Sequence, residues 1–171
     1  MIALPESELA RKMDATDIKI INSLIDNSRI SLSELSADIH LSVSAVSERI
    51  RKLENEGIIA RYTAVINYDR LGFDVTAYMD VSMDDPTYKA EFIEFAKRTP
   101  DIVECDYVAG DYDFIMKINT QNTHSLDKVL TAIRSLKGVG RTKTTFVLSK
   151  HKEAFSPKLV PAKGDRISKT T

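Results

Sequence analysis

Cysteine is almost absent from this chain of 171 residues, and long apolar runs are missing altogether. The single cysteine, Cys105, excludes an internal disulfide, and its place in an alternating apolar segment favours a buried small side chain over a reactive thiol. No cysteine and histidine residues have the spacing of a metal site. No stretch approaches the roughly 18 apolar residues of a membrane-spanning helix. We therefore expect neither a disulfide-stabilised nor a metal-binding nor a membrane-spanning protein.

The first 13 residues lack the apolar core of a secretory signal, since Glu6 and Glu8 interrupt them. We therefore expect a cytoplasmic protein. Hydrophobic residues make up 43% and charged residues 29% of the chain. This globular balance provides enough apolar material for one or two small cores.

A strong charge of one sign is also lacking, because the net charge is −1. Bulk charge therefore does not indicate nucleic-acid binding. In the segment 14–67, however, most cations fall near the end, which predicts a local basic edge. These cations are Arg49, Arg51, Lys52 and Arg61. The basic segment 153–171 has few large apolar residues, so we expect disorder past Phe155, either as a plain solvated terminus or as a tail with weak affinity for DNA.

Helical spacing of apolar residues begins at Asp14, a candidate N-cap for a first helix over 15–27. Ser31 and Glu34 form a capping box ahead of a second helix of about eight residues. Ser42 opens a third helix that Gly57 would end. A short second helix, a tight link and a capped third helix have the spacing of a helix-turn-helix.

The outward face of the third helix is small and polar at its start and cationic later. A helix in the major groove needs this order, because bases lie near its N-terminal end and phosphates pass farther along. Arg49 has an alternative as a partner of Glu54 or Asp38 inside the domain, and a plain three-helix bundle would show a similar solvated face. The residues predicted to contact DNA are Ser42, Ser44, Ala45, Ser47, Glu48, Arg49, Arg51, Lys52 and Arg61.

The rest of the chain alternates between strand and helix signals. Residues 58–67 predict a strand, and 68–73 a turn-rich linker. The order that follows is βαββαβ, with strands over 75–83, 102–108, 112–118 and 139–148 and helices over 87–98 and 123–136. Two helices on one face of a four-stranded antiparallel sheet predict an α+β, ferredoxin-like domain. We expect its uncovered sheet face to meet another subunit.

Two sets of residues in this chain resemble the Lrp/AsnC (leucine-responsive, feast/famine) family of regulators. The first set matches the family's helix-turn-helix: Asp14, Asp17, Leu41, Ser42, Arg49, Leu53, Glu54, Gly57 and Ile58. The second matches its ligand-binding half: Gly110, Tyr112, Asp113, Gly138, Val139, Thr142 and Thr144. The resemblance covers about 14–152. The family often has proline where Val43 stands, and commonly starts near Met13.

The resemblance implies a sequence-specific DNA-binding transcriptional regulator rather than an enzyme, with no cofactor. It implies a homodimer that assembles further, such as to an octamer, and a pseudo-palindromic site on double-stranded DNA. It also implies an effector bound between dimers, either an amino acid or a related small molecule. The predicted division is an N-terminal extension over 1–13, a (winged) helix-turn-helix domain over 14–61, a hinge strand and linker over 62–73, an effector-binding and oligomerisation domain over 74–152 and a tail over 153–171.

A cleft for a free amino acid needs a carboxylate for the ammonium group and backbone N–H groups for the carboxylate. Asp113 can supply the first, and the turn around Gly110 and Asp111 the second. The simpler interpretation is a hairpin with one polar face residue. The predicted effector residues are Gly110, Asp111, Tyr112, Asp113 and Thr144.

An enzyme of the same two-domain outline, a tetrapyrrole (sirohaem-type) decarboxylase, is the alternative function. It would need histidine and arginine gathered at one pocket, but His40, His124 and His151 fall on three unrelated elements. A module that senses a ligand without binding DNA conflicts with the intact helix-turn-helix.

Overall fold

The computed structural model describes residues 2–3 and 13–160. The chain divides into two compact units, one formed by residues up to Val65 with the chain from Glu153 on, and one formed by Ile66–Lys152. We call them, after their predicted roles, the DNA-binding unit and the effector unit. Most of the predicted N-terminal extension, and the tail beyond Val160, lie outside the described residues.

Three helices build the DNA-binding unit: α1 (Ala15–Asp26), α2 (Leu32–Ile39) and α3 (Val43–Asn55). All three predicted N-caps are confirmed, because the side chains of Asp14, Ser31 and Ser42 each accept a hydrogen bond from a backbone N–H three residues later. Capping boxes are complete at α1 and α2. The helices enclose a core of six buried side chains: Ile20, Ile21, Leu35, Ile39, Val46 and Leu53.

Residues 60–67 form no strand with any described residue, which differs from the strand predicted over 58–67. A strand is defined by a hydrogen-bonded neighbour, and alternation alone does not supply one. The segment stays close to the helices at Tyr62, whose hydroxyl donates to Glu54 Oε1 at 2.9 Å. Val65 and Ile66 are exposed.

The effector unit has the predicted βαββαβ order. Its elements are β2 (Val75–Met83), α4 (Lys89–Arg98), β3 (Ile102–Tyr107), β4 (Phe114–Thr120), α5 (Thr123–Arg134) and β5 (Val139–Phe146). The four strands pair antiparallel in the order β3-β4-β2-β5. β4 begins two residues later than predicted, because residues 111–113 still belong to the turn.

Both helices pack on one face of this sheet, as alternation along the central strands requires. The buried side chains are Ala77, Met79, Val81, Phe92, Ala96, Phe114, Met116, Ile118, Leu126, Val129, Leu130 and Ile133. The opposite face carries alternate residues of the same strands, including Tyr78 and Ile115, which are 40% and 38% exposed.

The predicted disorder past Phe155 is wrong for the last described residues. Leu159–Val160 form a short strand, β6, parallel to β1 (Ile2–Ala3). Asn22 on α1 bonds both backbone groups of Leu159, whose side chain packs against the core of the DNA-binding unit. The low apolar content predicted disorder, but the amide of Asn22 forms the two hydrogen bonds that a neighbouring strand would form, and it anchors the segment.

None of the helices in the described part of the chain has the length and apolar character to cross a bilayer.

Candidate DNA-binding and effector sites

The turn between α2 and α3 is fixed by a left-handed residue, His40 (φ 58°, ψ 44°). The N–H groups of His40 and Leu41 both donate to the carbonyl of Ser36, so the turn satisfies one of the last carbonyl groups of α2. A non-glycine residue seldom adopts this conformation. The chain reverses within three residues and presents the start of α3 at the surface.

Ser42 joins this turn to α3. Its Oγ accepts from the Ala45 N–H at 3.2 Å and lies 3.1 Å from the Oγ of Ser44. The remaining N–H groups of the first turn point outward with the positive end of the helix dipole. The N-terminal end of α3 is therefore a polar surface rich in hydrogen-bond donors.

The predicted DNA-contacting residues differ in their exposure to solvent. Six of them are exposed: Ser42, Ser44, Glu48, Arg51, Lys52 and Arg61. Ala45, Ser47 and Arg49 are half-buried. Among the residues that the structure describes, none of the charged side chains at positions 48, 51, 52 and 61 enters an ion pair. This charge is thus available to a partner.

Arg49 differs from its neighbours because it points into the DNA-binding unit. Its Nη1 lies 2.7 Å from Asp14 Oδ2 and 2.7 Å from Asp17 Oδ1. Glu54 and Asp38, the partners considered from sequence, are not the ones it uses. A phosphate contact by Arg49 stays a prediction and is confined to guanidinium nitrogens other than Nη1.

The pair of aspartates and Arg49 forms a charge cluster that joins α1 to α3. Burial acts to raise the pKa of Asp14, but hydrogen bonds from the Asp17 N–H and from Arg49, with the charge of Arg49, lower it overall. The hydrogen bond to Asp17 raises the pKa of Arg49. Asp17 itself is only 2% exposed. Its charge is therefore balanced almost entirely from inside the unit.

The candidate effector hairpin connects β3 to β4, and Asp113 is held there on three sides. Its N–H donates to the Val81 carbonyl at 2.9 Å, and its carbonyl accepts from Val108 at 2.8 Å. Its Oδ2 accepts from the Met83 N–H at 2.7 Å, beside an irregularity in the pairing of β2 with β5. The acid therefore has a structural role that sequence reasoning missed.

Arg141 is a second residue that sequence reasoning missed. Its Cζ lies 4.9 Å from the ring centroid of Tyr112, and Nη2 donates to the Asp111 carbonyl at 3.4 Å. The Arg141 N–H donates to Ser82 Oγ at 2.9 Å. The only signal in the sequence was an arginine at the start of the last strand. The hairpin thus carries a guanidinium as well as two carboxylates.

Gly110 leaves the turn open, because a side chain there would meet no atom within 4 Å. Thr144 is not brought to this hairpin within one chain. It pairs with Met79 on the side of β2 that faces away from β4, and its Oγ1 is buried without a hydrogen-bond partner among the described residues. Its role toward an effector stays a prediction.

Other reactive groups give no site in the described part of the chain. No cluster of three or more histidine, cysteine or acidic residues there has the arrangement to hold a metal ion. Cys105 packs against the core of the effector unit, and burial, with the nearby Asp106 charge, raises the pKa of its thiol. A raised pKa lowers the thiolate fraction and hence the reactivity.

Both units match described protein families. Residues 13–60 match a family described as "Winged helix-turn-helix DNA-binding", and residues 76–157 match "Lrp/AsnC ligand binding domain". The HTH-type transcriptional regulator FL11 of Pyrococcus horikoshii is 38% identical over 141 residues, which are 82% of this chain and 93% of that protein. The chain belongs to the Lrp/AsnC family of transcriptional regulators.

Further members of the family share its length and fold. The proline dehydrogenase transcriptional activator of Rhizobium radiobacter is 33% identical over 82% of this chain and 92% of its own length. The crystal structure of the regulator NMB0573 in complex with L-Met, from Neisseria meningitidis, matches with a TM-score of 0.82 and 27% identity, over 85% of this chain and 96% of that chain. These relatives are regulators rather than enzymes, and the decarboxylase alternative has no support.

Proposed function

We propose that this Lrp/AsnC regulator reads a pseudo-palindromic DNA site through α3 and responds to an amino acid bound at the hairpin 108–113. The observation that carries the proposal is the presence of both signs of charge at that hairpin: the carboxylates of Asp111 and Asp113, and the guanidinium of Arg141, which contacts the Asp111 carbonyl and the Tyr112 ring. A free amino acid offers the complementary pair, an ammonium and a carboxylate.

At the DNA, Ser44 and Ser47 on the first turns of α3 would lie near base edges, with Ala45 close enough for apolar contact. Arg51 and Lys52 are exposed and unpaired by described residues, so they suit phosphates. Glu48 lies on the same face and repels phosphates, but a carboxylate accepts a hydrogen bond from the N4 amino group of cytosine. We therefore assign Glu48 to base discrimination. Ser42 and Arg61 extend the contact to the flanking backbone.

At the hairpin, the ammonium group of the effector would bind Asp113 through Oδ1, because the hydrogen bond from Met83 uses Oδ2. The Asp111 carboxylate is exposed and can add a second charge. The effector carboxylate would take the exposed N–H groups at Gly110 and the guanidinium of Arg141, which suits a bidentate contact. The related Neisseria regulator in complex with L-Met supports this ligand class.

The open face of the sheet supports a homodimer that assembles further, as far as an octamer. Its large side chains include Tyr78 and Ile115, each more than a third exposed. An isologous contact between two such faces would bury them and place two copies of α3 for the two halves of a pseudo-palindrome.

The test is a thermal-shift screen of the common amino acids against the native protein and Asp113→Asn. Asparagine retains an oxygen for the Met83 N–H and removes only the charge. An amino acid at 100 times its Kd would stabilise the native protein by about 2.7 kcal/mol, and Asp113→Asn should lose this gain. Asp127→Asn, an exposed change on α5, is the matched control. A shift of equal size in Asp113→Asn and the control would contradict the hairpin as the site.

A further inference from the structure

The C-terminal segment Lys158–Val160 is bound to α1 by specific contacts rather than resting on it. The side-chain amide of Asn22 donates to the Leu159 carbonyl at 2.9 Å, and its Oδ1 accepts from the Leu159 N–H at 2.9 Å. An asparagine in this geometry reproduces both hydrogen bonds of a neighbouring strand. Two bonds to one residue fix both the position and the direction of the tail.

Charge and apolar contacts support this docking. Lys158 forms an ion pair with Asp26, the last residue of α1, and its Nζ donates to the Asn22 carbonyl at 3.1 Å. A cation at the C-terminal end of a helix is also favoured by the helix dipole. The Leu159 side chain packs against the apolar core of the DNA-binding unit. The docked segment therefore has a polar, an ionic and an apolar anchor.

The segment follows the part of the chain that is common to the family. The match to the Lrp/AsnC ligand-binding domain ends at residue 157. The chain leaves the effector unit at Lys152 and contributes to the DNA-binding unit from Glu153 on. The DNA-binding unit is thus connected to the effector unit by two stretches of chain, one before the effector unit and one after it.

We propose that the tail is a strap that fastens the DNA-binding unit and limits its movement relative to the effector unit. Six peptide steps separate Lys152 from Lys158, so the two Cα atoms stay within about 20 Å while the tail is docked. Release of Lys158–Val160 removes this limit and leaves the hinge 60–67 as the only connection. The strap uses residues of the same chain and is independent of the effector contacts proposed above.

Limited trypsin digestion of the full chain tests the docking, with Asn22→Asp as the variant. Aspartate keeps the acceptor for the Leu159 N–H but sets an oxygen against the Leu159 carbonyl. Cleavage after Lys158, followed by intact mass, should then accelerate about tenfold, the effect of losing roughly one hydrogen bond and gaining one repulsion. Asn27→Asp makes the same chemical change just past the end of α1, where the side chain accepts only from the Arg29 N–H. It should cleave at the native rate.

The same digest tests the restraint, because Arg61 is an exposed trypsin site in the hinge. Faster cleavage after Arg61 in Asn22→Asp than in Asn27→Asp would support a strap. Equal rates after Lys158 in the two variants would show that the tail is not docked in solution. Equal rates after Arg61, with faster cleavage after Lys158, would show that the tail docks without restraining the hinge and would overturn the strap. Unchanged melting of both variants shows that neither is unfolded.

Discussion

Two arginines of α3 are only two residues apart, on different faces of the helix, and have different surroundings. Arg49 balances Asp14 and the buried Asp17, whereas Arg51 is exposed and has no ionic partner among the described residues. A partner removed from a buried carboxylate leaves it uncompensated, while removal of an exposed cation leaves the fold intact. We therefore expect Arg49 to contribute to stability and Arg51 to DNA affinity.

Arg49→Met and Arg51→Met should accordingly have different effects: the first should lower stability, and the second should weaken DNA binding. Arg49→Met should lower the free energy of unfolding by about 1–3 kcal/mol, a range reduced from that of a fully buried pair because Arg49 is one-third exposed. Arg51→Met should leave stability within about 0.5 kcal/mol but weaken binding to all DNA sequences and reduce the salt slope by about one. Urea unfolding and gel shifts at several salt concentrations measure the two effects. An Arg51→Met protein with native affinity and slope would contradict the placement of α3.

The effector hairpin shows the same division within one residue. One carboxylate oxygen of Asp113 accepts the hydrogen bond from the Met83 N–H, and the other is the one that we propose binds the ligand. Asp113→Asn and Asp113→Ala should therefore differ, since only alanine removes the structural hydrogen bond. A buried N–H left without its acceptor costs about 1–3 kcal/mol.

At the scale of elements, the turn between α2 and α3 depends on an unusual residue. His40 is the only non-glycine residue with positive φ in the described part of the chain. Glycine carries no steric cost in that region, whereas a β-branched side chain carries the largest.

His40→Gly should leave stability unchanged or slightly higher, and His40→Val should lower it by about 1–2 kcal/mol. Circular dichroism during thermal unfolding measures both. An exposed histidine replaced on a helix surface gives no such contrast, so His124→Gly and His124→Val on α5 serve as the comparison. Equal stability of the two His40 variants would mean that the turn relaxes to another conformation.

Elements that depend on local signals were predictable from the sequence. Caps at Asp14, Ser31 and Ser42 need only residues three positions away, and the apolar periods of the helices are equally local. All six elements of the βαββαβ order in the effector unit begin and end within two residues of their predicted limits.

Features that depend on distant residues were not predictable. Arg49 finds its partners 32 and 35 positions back along the chain, and Asn22 binds Leu159 across 137 positions. The spacing of apolar residues along the chain does not indicate such distant pairs. The strand predicted over 58–67 was wrong for a related reason. Alternation of apolar and polar residues indicates a strand, but it does not supply the neighbouring strand with which that strand must pair. Asp113 was predicted to bind an effector, but its hydrogen bond from Met83 depends on an irregularity in another strand.

For the molecule as a whole, the exposed sheet face is the surface at which we propose that a second copy binds. Ile115 lies on that face between Asp80 and Asp106 on the neighbouring strands, so a cation there would find partners and not unfold the monomer. In a two-fold dimer formed through this face, however, the introduced cation would lie opposite the same cation of the second copy, and the two like charges would repel each other.

Ile115→Arg should therefore shift the protein toward the monomer without a loss of helix or strand content. Light scattering after size-exclusion chromatography measures the mass, and circular dichroism the content. Ile115→Val, which keeps the apolar surface, should retain the native mass. A native mass for Ile115→Arg would place the dimer contact elsewhere.

The hydrogen bond from Tyr62 to Glu54 has an optical consequence. The chain has six tyrosines and no tryptophan, so its near-ultraviolet spectrum is a tyrosine spectrum. Burial, then the hydrogen bond and charge of Glu54, raises the pKa of Tyr62 to about 12. The neutral phenol thus stabilises the fold fully below pH 10, and this contribution is lost between pH 10 and about 12. In a tyrosinate absorbance titration, Tyr62→Phe should remove the ionisation step near pH 12. The absorbance of Tyr62 would then report on the segment 60–67, where the chain leaves the DNA-binding unit.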